Sequence, residues 1–106
     1  MSVHLFATIE VKAEGFARFT KVMGEVVPIV EAAGWKLVNA FSLRTGQLHT
    51  VIDLWQLDDF NHLDLGMRAL AAHPNFPDIQ TVLQETIIKE TLCLADKLVY
   101  PGLEGR

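Results

Sequence analysis

Residues 34–59, GWKLVNAFSLRTGQLHTVIDLWQLDD, decide the fold of this chain because they hold its clearest pair of neighbouring strands. Apolar and polar residues alternate on both sides of Thr45 and Gly46, as they do in a β-hairpin with a short connection. Helical spacing of apolar residues flanks the hairpin on either side. The stretch therefore predicts two central strands of a sheet placed between two helices.

The position of the turn determines which side chains of the hairpin share a face. A two-residue turn at Thr45 and Gly46 makes Arg44 face Gln47. One face, expected to pack on helices, then carries Leu37, Asn39, Phe41, Leu43, Leu48, Thr50, Ile52 and Leu54. The other, expected to line an enclosed cavity, carries Lys36, Val38, Ala40, Ser42, Arg44, Gln47, His49, Val51, Asp53 and Trp55. A longer loop with a bulge would shift this register, and a one-residue slip in one strand would reverse which of its side chains are inside.

The residues before the hairpin predict a strand and a helix. Residues 3–11 alternate strictly, with Val3, Leu5, Ala7, Ile9 and Val11 on one face. Apolar residues then recur at helical spacing from position 16 to position 33. Pro28 lies inside that helix and predicts a kink or break over residues 24–27. Gly34 is a natural C-terminal stop.

The residues after the hairpin predict two more helices and a last strand. Asp58 and Asp59 are N-cap candidates for a second helix, which ends within residues 73–77. The predicted buried stripe of this helix is Phe60, Leu63, Met67 and Leu70. Asp78 is the expected cap of a short third helix, residues 87–99 predict a strand, and residues 100–106 a loose tail.

This order of elements predicts an α+β fold of the ferredoxin-like βαββαβ type, with an antiparallel sheet and helices on one face. We expect one domain over residues 1–100 and a C-terminal tail over residues 101–106. The other face of the sheet would expose an apolar patch, so a second copy of the chain is expected to cover it. The predicted patch comprises Phe6, Val38, Ala40, Val51 and Trp55. The predicted assembly is a homodimer in the form of a dimeric α/β barrel.

Composition limits the classes of function. A net charge of −4 and the absence of a basic cluster argue against nucleic-acid binding. Cys93 is the only cysteine, so no internal disulfide forms, and this is compatible with a reducing compartment. No secretory leader and no apolar run of membrane-spanning length is recognisable, so we expect a cytoplasmic protein without a membrane span.

The hairpin also resembles the NIPSNAP family. The resemblance rests on Pro28, on Gly34 to Val38 with Phe41, and above all on residues 52–59, IDLWQLDD. It covers roughly residues 3–101. It implies the dimeric α/β-barrel fold, whose relatives include cofactor-independent monooxygenases, haem-degrading enzymes and lactone isomerases. Phe6 and Met67 stand where the family often has arginine, so the resemblance implies no anion-binding role here.

Several residues are candidates for chemistry on the predicted cavity face. His49 and Asp53 are the candidate catalytic pair, although about 13 Å separates positions four apart on a strand. Each would then act with a residue of the first strand, such as His4, Thr8 or Glu10. The candidate ligand-binding residues are His4, Phe6, Thr8, Val51 and Trp55. The structural alternative is that Asp53 pairs with Lys36 or Arg44, and that Trp55 and Trp35 only pack.

Three functions stay open at this point. The first is a dimeric protein that binds a small apolar or aromatic molecule in the barrel. The second is a cofactor-independent monooxygenase or isomerase acting on a polyketide-like substrate, and the third is an interaction module without catalysis. No HxH or HExxH spacing supports a metal site, and we predict no metal or cofactor.

Overall fold

Three helices cover one face of a four-stranded antiparallel sheet in the computed structural model, which describes residues 2–106. The strand order is β2-β3-β1-β4. The elements are β1 (Val3–Val11), α1 (Phe16–Ala32), β2 (Lys36–Ser42), β3 (Thr50–Leu57), α2 (Asn61–Ala72), α3 (Phe76–Thr86) and β4 (Ile87–Ala95). The order and topology confirm the predicted ferredoxin-like fold.

Strand β1 supplies the centre of the core. Its five alternate apolar residues are all buried, with Ala7 the most exposed of them at 4%. They pack under one stripe of α1, formed by Phe19, Val22, Val26 and Val30. The alternate apolar residues of β1 therefore pack against the apolar stripe of α1, as their patterns in the sequence predict.

Helix α1 runs unbroken past Pro28, so of the predicted kink or break, the break is wrong. Val22, Val26 and Val30 are buried against the sheet on both sides of the proline, and this packing holds the two halves in one helix. The predicted stop is confirmed: Gly34 has a φ of 107°, and its N–H donates to the Glu31 carbonyl.

The register of the hairpin differs from the prediction. Its connection spans residues 43–49, and the Leu43 N–H donates to the Thr50 carbonyl at 2.9 Å. Ala40 pairs with Asp53, and an irregularity at Val38 shifts the register so that Leu37 pairs with Trp55. The prediction paired Ala40 with Val51, so the longer loop shifts the register by two residues and leaves Ala40 and Asp53 on a common face, as predicted. The error is in which face of the hairpin packs on the helices.

The predicted placement of Val51, Asp53 and Trp55 on the open side of the sheet is therefore wrong. In β1, Ile9, Ala7 and Leu5 stand directly opposite these three residues, and directly opposed residues point to the same side. All three residues of β3 are buried under the helices, with exposures of 8%, 4% and 2%. Ile52 and Leu54 take the open side instead.

The C-terminal half agrees with the prediction in type and differs at its boundaries. Helix α2 begins at Asn61, so Phe60 and not Asp58 or Asp59 occupies the N-cap position. The Asp59 carboxylate still accepts a hydrogen bond from the His62 N–H in the first turn, at 3.2 Å. Asn75, not Asp78, precedes α3. Strand β4 ends at Ala95, so the irregular C-terminal segment begins at residue 96 rather than 100.

Two tryptophans join the helices to the sheet. Trp35 and Trp55 stack edge to face with ring centroids 5.2 Å apart, which confirms Trp35 as a core residue. The Trp35 indole N–H donates to the His62 carbonyl, and the ring lies directly against Gly66 of α2. The absence of a side chain at Gly66 lets α2 approach this closely. In the predicted buried stripe of α2, Phe60 and Met67 are instead exposed.

The close approach at Gly66 gives a stability prediction. Gly66→Ala places a methyl group in the Trp35 ring, and we expect a loss of about 1–3 kcal/mol in the free energy of unfolding from overpacking. Gly24→Ala is the matched control because a Cβ there meets nothing within 4 Å; it should stabilise the helix by about 0.5–1 kcal/mol. Denaturant titration measures both, and equal effects at the two sites would contradict the packing described.

Candidate functional site

A cavity of about 350 Å³ lies between the sheet and the helices. We call it the main cavity. Its floor is formed by Leu5, Ala7 and Ile9 of β1. Its walls are formed by Phe19, Met23, Val26, Val30, Trp35, Asp53, Trp55, Met67, Leu70, Leu83, Gln84, Ile87, Glu90 and Leu92. The volume is within the range of small-molecule sites, and the lining is mostly apolar and aromatic, as in such sites.

A second cavity of about 440 Å³, the side cavity, lies between α1 and strands β2 and β3. Phe19, Met23 and Asp53 line both cavities. Asp53 is the only charged residue that they share. The carboxyl group of Asp53 is therefore the charged group that the two cavities have in common.

Asp53 is a buried carboxyl without a partner. The side chains opposite it on the two neighbouring strands are Ala7 and Ala40, which leave open space around the carboxyl. Within residues 2–106 no hydrogen bond or ion pair reaches it, so the alternative of pairing with Lys36 or Arg44 is wrong. Burial, with a smaller contribution from the charge of Glu90, raises the pKa of Asp53 from 3.8 to about 6.

Glu90 is a second carboxyl of the main cavity. It lies on β4 opposite Ile9, and therefore points to the same side of the sheet as Asp53. Two strand spacings, about 10 Å, and two residue positions along the strands, about 7 Å, separate their backbones. Glu90 is exposed at the cavity edge, and desolvation by its apolar surroundings raises its pKa. Glu90 is not among the predicted site residues because β4 alternates poorly; its pairing with the well-patterned β1 was the available signal.

The predicted site residues of β1 and those of β3 lie on opposite faces of the sheet. His4, Phe6 and Thr8 lie on the open face of the sheet, opposite in direction to Asp53, Val51 and Trp55. The predicted meeting of Asp53 with His4, Thr8 or Glu10 is therefore wrong. No single pocket unites the predicted set.

His49 lies at the end of the hairpin loop. Its φ of 61° is in the left-handed region, and its ring contacts Phe16 edge to face with centroids 5.6 Å apart. Its carbonyl accepts from the Val11 N–H at 3.0 Å. It lines neither the main nor the side cavity, so its position is that of a loop residue packed on the start of α1.

The ionisable side chains that line the two cavities are all acidic. Their lining residues include two carboxyls, Asp53 and Glu90, and no lysine, arginine or histidine. An apolar wall lowers the local dielectric and strengthens the field of each ionised carboxylate. The site therefore disfavours anions and favours neutral or positively charged molecules.

Known structures share this fold. An uncharacterized NIPSNAP domain protein from Burkholderia xenovorans superposes with a TM-score of 0.76 at 19% identity, covering 94% of this chain and 97% of that one. A NIPSNAP family protein of unknown function from Agrobacterium tumefaciens gives 0.77 at 14% identity, covering 96% and 93%. The chain has the NIPSNAP fold. No family model and no curated protein matches the sequence.

The NIPSNAP fold is also shared with a protein described as an enzyme. A putative antibiotic biosynthesis monooxygenase from Caulobacter crescentus superposes with a TM-score of 0.72 at 16% identity, covering 92% of this chain and 91% of that one. A fold at this identity does not determine a reaction. None of the helices within residues 2–106 is long and apolar enough to cross a membrane.

Proposed function

We propose that this protein is a cytoplasmic member of the NIPSNAP family that binds a small, largely apolar molecule in the main cavity. One observation carries the proposal: a cavity of about 350 Å³ with an aromatic wall holds a buried carboxyl that no residue of the described chain satisfies. A ligand group that hydrogen-bonds Asp53 would offset the cost of burying it.

Filling the cavity tests this proposal. Ala7→Leu extends the floor of the main cavity upward, and we expect it to abolish binding of the neutral probe phenylbutanol. Because the added methylenes enter open space, the variant should keep its free energy of unfolding within about 0.5 kcal/mol. In a packed interior the same change would cost about 1–3 kcal/mol. Calorimetric titration and denaturant unfolding of the same sample measure both quantities, and undiminished binding would contradict the placement of the site.

A homodimer is the second part of the proposal. Phe6 and Phe41 leave the open face of the sheet partly apolar, with exposures of 40% and 54%. The radius of gyration is 14.9 Å, whereas a compact chain of this length has about 13 Å. A flat molecule with an uncovered apolar sheet is what one half of a dimeric α/β barrel would resemble.

Charge on the open face should prevent assembly. Phe6→Asp places a carboxylate at the centre of the uncovered sheet, and we expect a monomer by sedimentation velocity at micromolar concentration, where the wild type is a dimer. Phe60→Asp is the matched control, since Phe60 is 57% exposed at the start of α2 and should leave the dimer intact. A monomeric wild type would contradict the proposed assembly.

Proton transfer is the alternative function. A carboxyl with a pKa of about 6 in an apolar cavity is suited to act as a general base near neutral pH. The substrate would be an aromatic or polyketide-like carbon acid, oxidised without a cofactor or isomerised. This alternative moves the candidate base from the predicted pair to Asp53 alone, because His49 lies outside the cavity.

A pair of variants tests the alternative. Oxygen uptake or product formation with anthrone and quinol compounds should be lost in Asp53→Asn and kept in His49→Ala. Absence of turnover across the panel would leave the binding function. Loss in His49→Ala with retention in Asp53→Asn would contradict the assignment of the base.

A further inference from the structure

The burial of Asp53 has no structural explanation within the described chain. Its exposure is 4%, and neither a cation nor a hydrogen-bond donor of residues 2–106 accompanies it. An isolated buried carboxylate is costly, and proteins ordinarily pair it. The alanines on both neighbouring strands keep space free on either side of the carboxyl, where a partner from outside the chain can reach it.

The surroundings of the carboxyl define that partner. Phe19, Trp35 and Trp55 place three aromatic side chains in the lining of the same cavity. Aromatic faces attract organic cations, and a carboxylate next to them supplies the opposite charge. The other lining residues from α1, α2 and α3 are uncharged, and Glu90 from β4 adds a second negative group at the edge.

We propose that the ligand of the main cavity is an organic cation, a protonated amine that places its ammonium group on Asp53 and its apolar body against the aromatic wall. This rests on the proposed binding function and names its ligand class. Glu90 contributes long-range attraction from the open edge of the cavity. The absence of lysine, arginine and histidine from the lining means that nothing repels the cation.

The pH dependence of binding follows from the ionisation of Asp53. Burial and Glu90 raise its pKa to about 6, and the groups that face it from the other elements of the cavity are uncharged. An ammonium ion pairs with the ionised carboxylate, so affinity should rise with pH through this pKa. We expect about tenfold tighter binding at about pH 7.5 than at about pH 5, because only about a tenth of the carboxyl is ionised at the lower value.

Three probes of one shape test the proposal on the full chain: phenylbutylamine, phenylbutanol and phenylbutyrate, titrated calorimetrically. We expect the amine to bind about tenfold or more tightly than the alcohol at neutral pH, and the carboxylate to bind worst. In Asp53→Asn the amine and the alcohol should bind equally. Glu90→Gln, which removes the same charge at the cavity edge, should keep most of the preference.

The outcomes separate the two proposals. Equal binding of amine and alcohol by the wild type, or a preference that persists in Asp53→Asn, would overturn the cation inference while leaving a ligand-binding cavity. Failure of all three probes to bind would overturn the binding function together with the inference. A preference for the amine that follows the ionisation of Asp53 supports both.

Discussion

Asp53→Asn should stabilise the free protein by about 1–3 kcal/mol at neutral pH. The carboxyl of Asp53 has a pKa of about 6 in the fold and an ordinary value of 3.8, so the fold binds its proton more tightly than the unfolded chain does. Folding therefore disfavours the ionised form of Asp53, and its ionisation lowers the free energy of unfolding. Asparagine keeps the shape and polarity of the protonated acid and removes this cost.

The pH profile identifies the cause. Below pH 3.8 the carboxyl is protonated in both states, and the variant and the wild type should unfold with the same free energy. As pH rises toward about 6, the wild type loses stability relative to the variant, and above that value the difference is constant. Denaturant unfolding across this range measures the effect. A wild type more stable than the variant at neutral pH would show that Asp53 has a partner.

A surface variant supplies the control for this experiment. Asp96→Asn removes the same charge from the exposed C-terminal segment, where no packing depends on it. Its effect on the free energy of unfolding should stay within about 0.5 kcal/mol at every pH. A comparable gain from Asp96→Asn would mean that relief of net negative charge, and not the burial of one carboxyl, stabilises the Asp53 variant.

Trp55→Ala should cost about 3–5 kcal/mol of stability. Trp55 is 2% exposed, stacks on Trp35 and packs between β1 and the helices, so truncation leaves a large void beside the main cavity. Phe60→Ala is the control, since Phe60 is 57% exposed and should lose less than about 1 kcal/mol. Thermal or denaturant unfolding measures both. A loss of under about 1 kcal/mol for Trp55→Ala would place its side chain outside the core.

A comparison of β1 with β3 shows when the alternation of apolar and polar residues identifies the buried face of a strand. In β1 the alternation is unambiguous, and the structure confirms it residue by residue. In β3 both sets of alternate residues contain large apolar side chains, and the buried set includes a carboxylate, Asp53. Hydrophobicity therefore does not identify which face of β3 is buried.

The connection between β2 and β3 is longer than the two-residue turn predicted at Thr45 and Gly46. Thr45 and Gly46 lie within a loop of residues 43–49 in which both Gly46 and His49 have positive φ. A histidine in that region is uncommon, and no local sequence rule predicts it. The predicted fold class is unaffected by this error because element order does not depend on which face of the hairpin is buried. The predicted site is affected, since Trp55 and Asp53 lie on the helix side of the sheet and not on its open side.

Mapping of ligand contacts by NMR tests the central claim, that the binding site lies between the sheet and the helices. With phenylbutanol added to the 106-residue chain, we expect chemical-shift changes at the Ala7 and Met23 methyl groups and at the indole N–H groups of Trp35 and Trp55. Residues of the open face, such as Phe6 and Thr91, should not respond. Changes confined to the open face would contradict the claim and return the site to the interior of the dimeric barrel.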